Sequence, residues 1–442
     1  VENVLLYILG VLILVVGLAV SIGLHEIGHL LPAKLFGVRV GQYMIGFGPT
    51  VFSRKRGETE YGLKAIPLGG YISMAGMFPP GKAQEGSRSA TTGIFQTLVQ
   101  DARESSADTI IDGDESRAFY KLPVFKRVII MLGGPFMNLL IAIVMFAILL
   151  MGFGTAQAST TISTVSECVI PASADRDVCA ASDPVAPALA AGIQPDDRIV
   201  SMDGEPIETW DEITEHIRAA AGDELTIVVE RAGEEVTLTA EPLLAERYVY
   251  DDSGEIVEND EGEALTEEYG FLGIGPAAET VRQPVTAVLP AVGDNVVAVA
   301  EVVLTLPQRM VDVAVAAFGT EERDPNGPIG LVGVGRIAGE ATSLEAATVA
   351  DRAAYLISLV GSLNVALFVF NLVPLLPLDG GHIVGALFEG VRRFFAKLFG
   401  KPDPGPLDTA KFVPLTLVVV VLLGLMTLML VYADIVKPIS PF

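Results

Sequence analysis

The sequence predicts a polytopic α-helical membrane protein with four transmembrane helices, a membrane-associated β-hairpin and a compact α+β domain outside the membrane. Three observations carry this reading. A mean hydropathy of +0.51, with 51% hydrophobic residues over 442 positions, is well above that of a soluble globular chain. Four runs, Val4 to Leu31, Val128 to Met151, Tyr355 to Leu378 and Val413 to Tyr432, each approach the ~20 apolar residues that a bilayer core demands. Charge is also segregated: the net charge is −25, and residues 153–352 alone hold 38 acidic and 10 basic residues, with no lysine among the basic ones.

That segregation sets an orientation. The stretch after the first run carries Lys34, Arg39, Arg54, Lys55, Arg56, Lys64, Lys126 and Arg127, and the stretch after the third carries Arg392, Arg393, Lys397 and Lys401. By the positive-inside rule both are cytoplasmic, which puts the two termini and the acidic segment outside. An acidic outer segment excludes nucleic acid as a partner, because phosphate binding needs clustered Lys and Arg. The partner the four runs require is the lipid bilayer.

The first span, residues 1–37, is too long for a cleavable signal peptide and lacks a basic leader. Its end reads Gly23-Leu24-His25-Glu26-Ile27-Gly28-His29-Leu30-Leu31, an H-E-x-x-H inside an apolar helix. Two imidazoles four residues apart share one helix face and can bind one Zn²⁺, while Glu26, one position round, can reach the attacking water as general base. On a soluble helix the same pattern would be unremarkable surface. Next to Leu, Val and Ile in lipid, three ionisable groups are costly and mark a functional site.

Residues 38–77 follow as a Gly-rich pair of strands about the basic turn at 53–57, a β-hairpin placed to lie against the membrane near the metal. An ordinary cytoplasmic hairpin is the alternative. Residues 78–124 form a cytoplasmic loop, and 79–116 mix Gly, Ser, Ala and both charge signs without periodicity, as a mobile insertion would. The second span, 125–152, opens on Gly133-Gly134-Pro135-Phe136-Met137-Asn138. Asn138 needs a polar partner in lipid, either another helix or a substrate.

Outside the membrane, 153–184 is a linker holding both cysteines, Cys168 and Cys179. A structural disulfide can persist in that compartment; two unpaired thiols are the alternative. From residue 185 to 276 the order is A-G-I-x-x-x-D-x-I over Ala191 to Ile199, a helix over 209–219, a strand over 224–231, a turn at Ala232-Gly233, a strand over 235–240 and a further strand over 270–276. This resembles a PDZ domain of the bacterial protease type, a fold that binds extended peptides at a sheet edge. His216 falls on the polar face of its helix, and the carboxylates over 248–268 read as a solvated loop. Residues 277–350 are a juxtamembrane region in which 285–318, interrupted by Asp294, Glu301, Pro307, Arg309 and Asp312, are expected as an amphipathic helix pair rather than a fifth span.

The third span, 351–381, ends in Asn371-Leu372-Val373-Pro374-Leu375-Leu376-Pro377-Leu378-Asp379-Gly380-Gly381-His382. Its prolines break the helix where protein or water must meet the freed backbone. Spans one and three run the same way, so Asp379 reaches the depth of His25 and His29 and is the third metal ligand. Two His and one carboxylate leave an open coordination position, as in catalytic rather than structural zinc. His382 is either a partner to a ligand or an interfacial residue. A cytoplasmic loop, 382–411, and a fourth span, 412–434, follow.

Taken together, the H-E-x-x-H, the Gly46-Phe47-Gly48-Pro49 hairpin, the Gly-Gly-Pro-Phe-Met-Asn segment, the outer domain and Asn371 to Gly381 resemble the site-2 protease family of intramembrane zinc metalloproteases. The single PDZ segment and the cysteine pair are most similar to actinobacterial, regulator of sigma E protease-like members that cleave anti-sigma factors. The resemblance implies that His25, His29 and Asp379 bind one zinc and that Glu26 activates water. It implies that Asn371, Asn138, Gly46, Phe47 and Gly48 help hold the substrate. The substrate it implies is a single-span membrane protein, an anti-sigma factor already trimmed outside, with the PDZ domain restricting access. The enzyme would sit in the bacterial inner membrane with its active site near the cytoplasmic side. A transporter using the same ligands would not need Glu26, and a PDZ adaptor would need none of the four residues.

Overall fold

In the computed structural model, which describes residues 2–80, 94–111, 114–249 except 173, 175 and 177, then 256, 257, 259, 264–320 and 322–439, the first apolar run is one helix, α1 (Glu2–Leu35). At 1.5 Å per residue it is ~50 Å long, more than a bilayer core. It belongs to the first of two units, residues 1–153 with 283–442; residues 154–282 form the second.

The chain leaves α1 through Gly37 (φ +80°) into an antiparallel hairpin, β1 (Val40–Arg56) and β2 (Thr59–Met74). The hairpin's root is apolar and buries Val40, Tyr43 and Met74 with Leu30 and Ala33 of α1. Its tip leaves Val51 and Phe52 exposed, which suits a segment lying in or on lipid. Next comes α2 (Ile94–Asp108), tied to the hairpin's exit by Gly76 N–H to Thr109 Oγ1 (3.0 Å) and Phe78 N–H to Ser106 Oγ (2.9 Å). Then α3 (Val124–Ala147) runs on through a π-helical turn to Phe153.

The second unit starts at β3 (Thr155–Val165) and a loop in which Cys168 and Cys179 are joined, Cα to Cα 6.0 Å. A short α4 (Pro187–Ala190) leads to β4 (Arg198–Met202), β5 (Glu205–Pro206), α5 (Trp210–Ala219), β6 (Leu225–Arg231), β7 (Glu234–Ala240), β8 (Leu243–Tyr248), β9 (Thr266–Phe271) and β10 (Ile274–Val281). The main sheet has the order β10-β3-β4-β6-β7, with β5 on β4, and β8 pairs with β9 apart from it. The A-G-I-x-x-x-D-x-I pattern now has a physical reading. Ile193 and Ile199 enter the core with Ile162, Met202, Ile213 and Leu225. Asp197 accepts both prongs of the Arg231 guanidinium (2.7 and 2.7 Å) and the Gln194 N–H (2.8 Å), closing the turn onto β6. Burial raises the Asp197 pKa, but those bonds outweigh it and hold the carboxyl below its ordinary value. α5 starts with a full capping box between Thr209 and Glu212. His216 meets Glu205 at 3.6 Å and lies on this unit's surface, partly exposed.

Back in the first unit come α6 (Val288–Phe318), α7 (Leu331–Ser343), α8 (Val349–Leu372), α9 (Asp379–Leu398) and α10 (Val413–Val436). Polar side chains bind these helices where lipid offers no partner. Asn364 donates to Ser21 Oγ across α8 and α1 (2.9 Å), and Thr342 Oγ1 to Leu6 O across α7 and α1 (2.9 Å). Buried Asp434 of α10 accepts from Arg323 (2.9 Å) and from the Gly333 N–H at the start of α7 (2.8 Å).

Four expectations change. Among the described residues five helices, not four, are long and apolar enough to cross a membrane, because 285–318 form one long helix instead of an amphipathic pair. Pro307 is carried within it, and Arg309 donates to Thr305 Oγ1 (3.0 Å) and Asn326 O (3.2 Å), so these donors are met locally by uncharged acceptors. Within the 79–116 insertion, 94–108 are helical, while 81–93 and 112–113 lie outside the described residues. The strand expected over 270–276 is interrupted at Leu272-Gly273, where Gly273 takes φ +87°, and so divides between β9 and β10. Finally, the third span, expected to run to 381, ends at Leu372, and helix α9 takes in 379–381 together with 382–398 of the expected loop, so that Asp379 begins a helix instead of ending one.

Candidate metal centre

His25 and His29 lie one turn apart on α1, as their spacing requires, with Nε2 atoms 3.2 Å from each other. Asp379, the first residue of α9, brings Oδ2 to 3.4 Å from His25 Nε2 and 3.3 Å from His29 Nε2. The loop between α8 and α9 makes this possible by curling over Gly380 and Gly381. A Cβ at Gly380 would lie 2.3 Å from Leu372 O, and one at Gly381 2.6 Å from Leu376 N. Among the described residues this is the one group of three His, Cys, Asp or Glu side chains placed to hold a metal ion.

The donor set fits zinc. The three separations match the ~3.4 Å edge of a tetrahedron with ~2.1 Å metal–ligand bonds. Asp379 Oδ2 is buried and accepts no hydrogen bond, an expensive state for a carboxylate oxygen unless a cation answers it. The far nitrogens are held as ligands need them. His29 Nδ1 is 2.7 Å from Ile130 O, which can only accept, so the proton sits on Nδ1 and Nε2 keeps its lone pair. His25 Nδ1 is 3.1 Å from the side-chain amide of Asn138, whose Oδ1 is buried without a partner. Turned end for end, which leaves its shape unchanged, that amide accepts from His25 Nδ1–H and gives His25 the same tautomer.

Glu26 is buried beside the imidazoles, against β2: a Cβ at Gly70 would fall 3.0 Å from Glu26 Cγ. The hairpin is fixed there by Tyr43, whose hydroxyl donates to Gly23 O (2.8 Å), and by Ile45 packing on Gly23. Gly46 and Gly48 follow at φ +90° and +85°, and Phe47, half exposed, rests on Gly69. Asn371 donates to Leu367 O (2.8 Å) in the last turn of α8. None of Gly46, Phe47, Gly48 or Asn371 hydrogen-bonds to the three clustered side chains; Asn138 alone of the five expected substrate contacts does. His382 is partly buried and outside the cluster.

Sequence reasoning missed Ile130, Gly134 and Gly70. A Cβ at Gly134 would sit 2.2 Å from His29 Nε2 and 2.7 Å from His25 Cε1. The doublets Gly133-Gly134 and Gly69-Gly70 were the available signals, whereas a backbone carbonyl such as Ile130 O leaves none.

A family model described as Peptidase family M50 matches residues 13–400. The chain is 32% identical to the zinc metalloprotease Rip1 of Mycobacterium tuberculosis over 99% of this chain and 100% of that protein. It is 30% identical to Rip1 of Mycolicibacterium smegmatis over 98% and 99%, and 28% identical to the metalloprotease MmpA of Caulobacter vibrioides over 87% and 88%.

Proposed function

The chain belongs to peptidase family M50 and is a zinc metalloprotease, and from that premise we propose that it hydrolyses peptide bonds in or near the transmembrane helix of a single-span membrane protein. The observation that carries the proposal is the convergence of two imidazole lone pairs and one unpartnered carboxylate oxygen between apolar helices. His25, His29 and Asp379 would hold the zinc, which when bound would supply Lewis acidity toward a carbonyl oxygen and lower the pKa of water.

The remaining steps belong to the protein. Glu26 takes the proton from the attacking water and returns it to the leaving amine. Its burial against Gly70 keeps bulk water from competing. A helical substrate must first give up its i to i−4 hydrogen bonds, and the hairpin around Gly46, Phe47 and Gly48 offers strand partners to the extended segment. The Asn371 amide, one turn above the broken segment, serves the developing oxyanion after leaving Leu367 O.

The substrate best matching the resemblance is an anti-sigma factor after a first cleavage outside the membrane, in the bacterial inner membrane with the metal toward the cytoplasm. Residues 154–282 act as the PDZ domain that restricts access. Among the described residues β10 pairs on one side only, with β3, and its other edge is the place for an added strand.

The test is cleavage of a tagged single-span membrane protein by purified enzyme, comparing the parent with Glu26→Gln and measuring zinc in both. Cleavage should fall by about 10²–10⁴-fold with zinc retained. Equal cleavage would remove Glu26 from the mechanism.

A further inference from the structure

The side of α9 turned away from the metal carries a groove. Ile383 packs against Ile130 and Met131 of α3, and Glu389 binds Arg127 of α3, so this face is closed. At 3.6 residues per turn, Val384, Phe388, Arg392, Phe395 and Phe399 fall on the opposite side. There Val384 and Phe388, with Leu407 and Phe412 and with Leu415 and Val419 of α10, line an apolar cavity of about 260 Å³. Further along the same side, Arg392, Phe395, Phe399 and Lys401 border a second, more open recess of about 520 Å³.

The charge at that end is unanswered. Arg392 donates from Nη2 to Gly405 O (2.6 Å), while its Nε is buried without a partner. Neither Arg392 nor Lys401 has an acidic partner among the described residues. The nearby acids are engaged elsewhere: Glu389 by Arg127 (2.6 Å) and Arg393 (3.0 Å), and Asp403 by Arg393 (3.6 Å).

We propose that this groove is the seat of one anionic phospholipid, with an acyl chain between α9 and α10 and the phosphate against Arg392 and Lys401. An apolar slot that ends in two unpaired cations has the order of a lipid, chain then headgroup. Its rim is continuous with surface that faces lipid in any case: α10, which forms one wall, is long and apolar enough to cross the membrane, and Val384, Phe388 and Leu415 are exposed. A peptide would need backbone hydrogen-bond partners, and an apolar lining provides almost none. Since α9 begins at Asp379, a lipid seated behind it braces the helix that carries a metal-facing carboxylate.

The full chain in phosphatidylcholine bilayers doped with a phosphatidylglycerol bearing a photoreactive group in its acyl chain tests this, with labelled peptides mapped by mass spectrometry. Labelling over 384–388 and 412–419 should exceed that on the exposed face of α1 severalfold. Val384→Trp, or Leu415→Trp from the other wall, should abolish the excess by filling the groove, and Arg392→Gln with Lys401→Gln should lower it to the level of a matched phosphatidylcholine probe. Helix content by circular dichroism reports that each variant is folded. Labelling no greater than on α1, an excess that survives both tryptophans, or equal labelling of the parent by the two probes would overturn the proposal.

Discussion

Gly28 of α1 and Gly133 of α3 meet backbone to backbone: a Cβ on Gly28 would lie 2.1 Å from Gly133 O, and one on Gly133 2.0 Å from Gly28 O. Only hydrogen fits between helices crossing this closely, and the crossing sets the register of everything beside it. Ile130, Gly134 and Asn138 then form a stripe at four-residue spacing on α3 that faces His25 and His29, themselves four apart on α1. One residue of the stripe orients each imidazole, and the middle one leaves room for both.

Gly134→Ala should therefore empty the metal site without unfolding the helices. A methyl 2.2 Å from His29 Nε2 must displace the ring, and zinc affinity should drop on the order of 100-fold or more. Metal analysis alongside helix content by circular dichroism checks it, and full zinc occupancy would show that α3 can yield.

Asn138→Ala should weaken zinc by about 10–100-fold, since His25 loses the group that fixes its tautomer. Asn138→Asp keeps an acceptor at Nδ1 and should hold zinc at least as well as the parent. A competition titration against a chelator of known affinity separates the two. Equal losses in both variants would mean that Asn138 matters for packing and not for its oxygen.

What the sequence made legible follows from chemistry that could not be hidden. His25, Glu26, His29 and Asp379 stand out because ionisable side chains are rare in apolar runs, and Asp197 with Ile193 and Ile199 because turn and core alternate over a short stretch. Ile130 O acts through its backbone and could belong to any residue. α9 was obscured because Pro374 and Pro377 suggested a terminated span and its arginines suggested a loop, although Val384, Phe388, Phe395 and Phe399 repeat at helical spacing. α2 was lost among flanking Gly, Ser and charged residues that dilute its own periodicity.

The second unit should lose stability in acid. The Asp197 carboxyl is held below its ordinary value, so its contribution is fully present above the unfolded value of ~3.9 and disappears as pH falls through the lower, folded value. Hydrogen exchange over 191–231 of the full chain, corrected for intrinsic rates, should show protection constant from pH 6 to about 4.5 and falling below pH ~4. Asp197→Asn should be less protected at pH 6 and flatter in acid; a parent-like slope in that variant would assign the acid loss to another group.

The anchor of α9 gives the last prediction. Glu389 is fully buried and accepts from Arg127 (2.6 Å), Arg393 (3.0 Å) and the Leu407 N–H (2.8 Å), ten residues and ~15 Å along the helix from Asp379. Glu389→Ala leaves Arg127, only 7% exposed, with an uncompensated charge, and breaking such a pair costs about 3–5 kcal/mol. Arg393 is more exposed and can turn to water, so most of the penalty lies on Arg127. Arg127→Met combined with Glu389→Leu removes both buried charges at similar volume and should recover most of the loss. Thermal unfolding in detergent measures stability and metal analysis the site: the single variant should fall in both, the double in neither. Zinc lost from both variants while the double regains its stability would mean that the ion pair sets the position of Asp379 as well as holding α9 to α3.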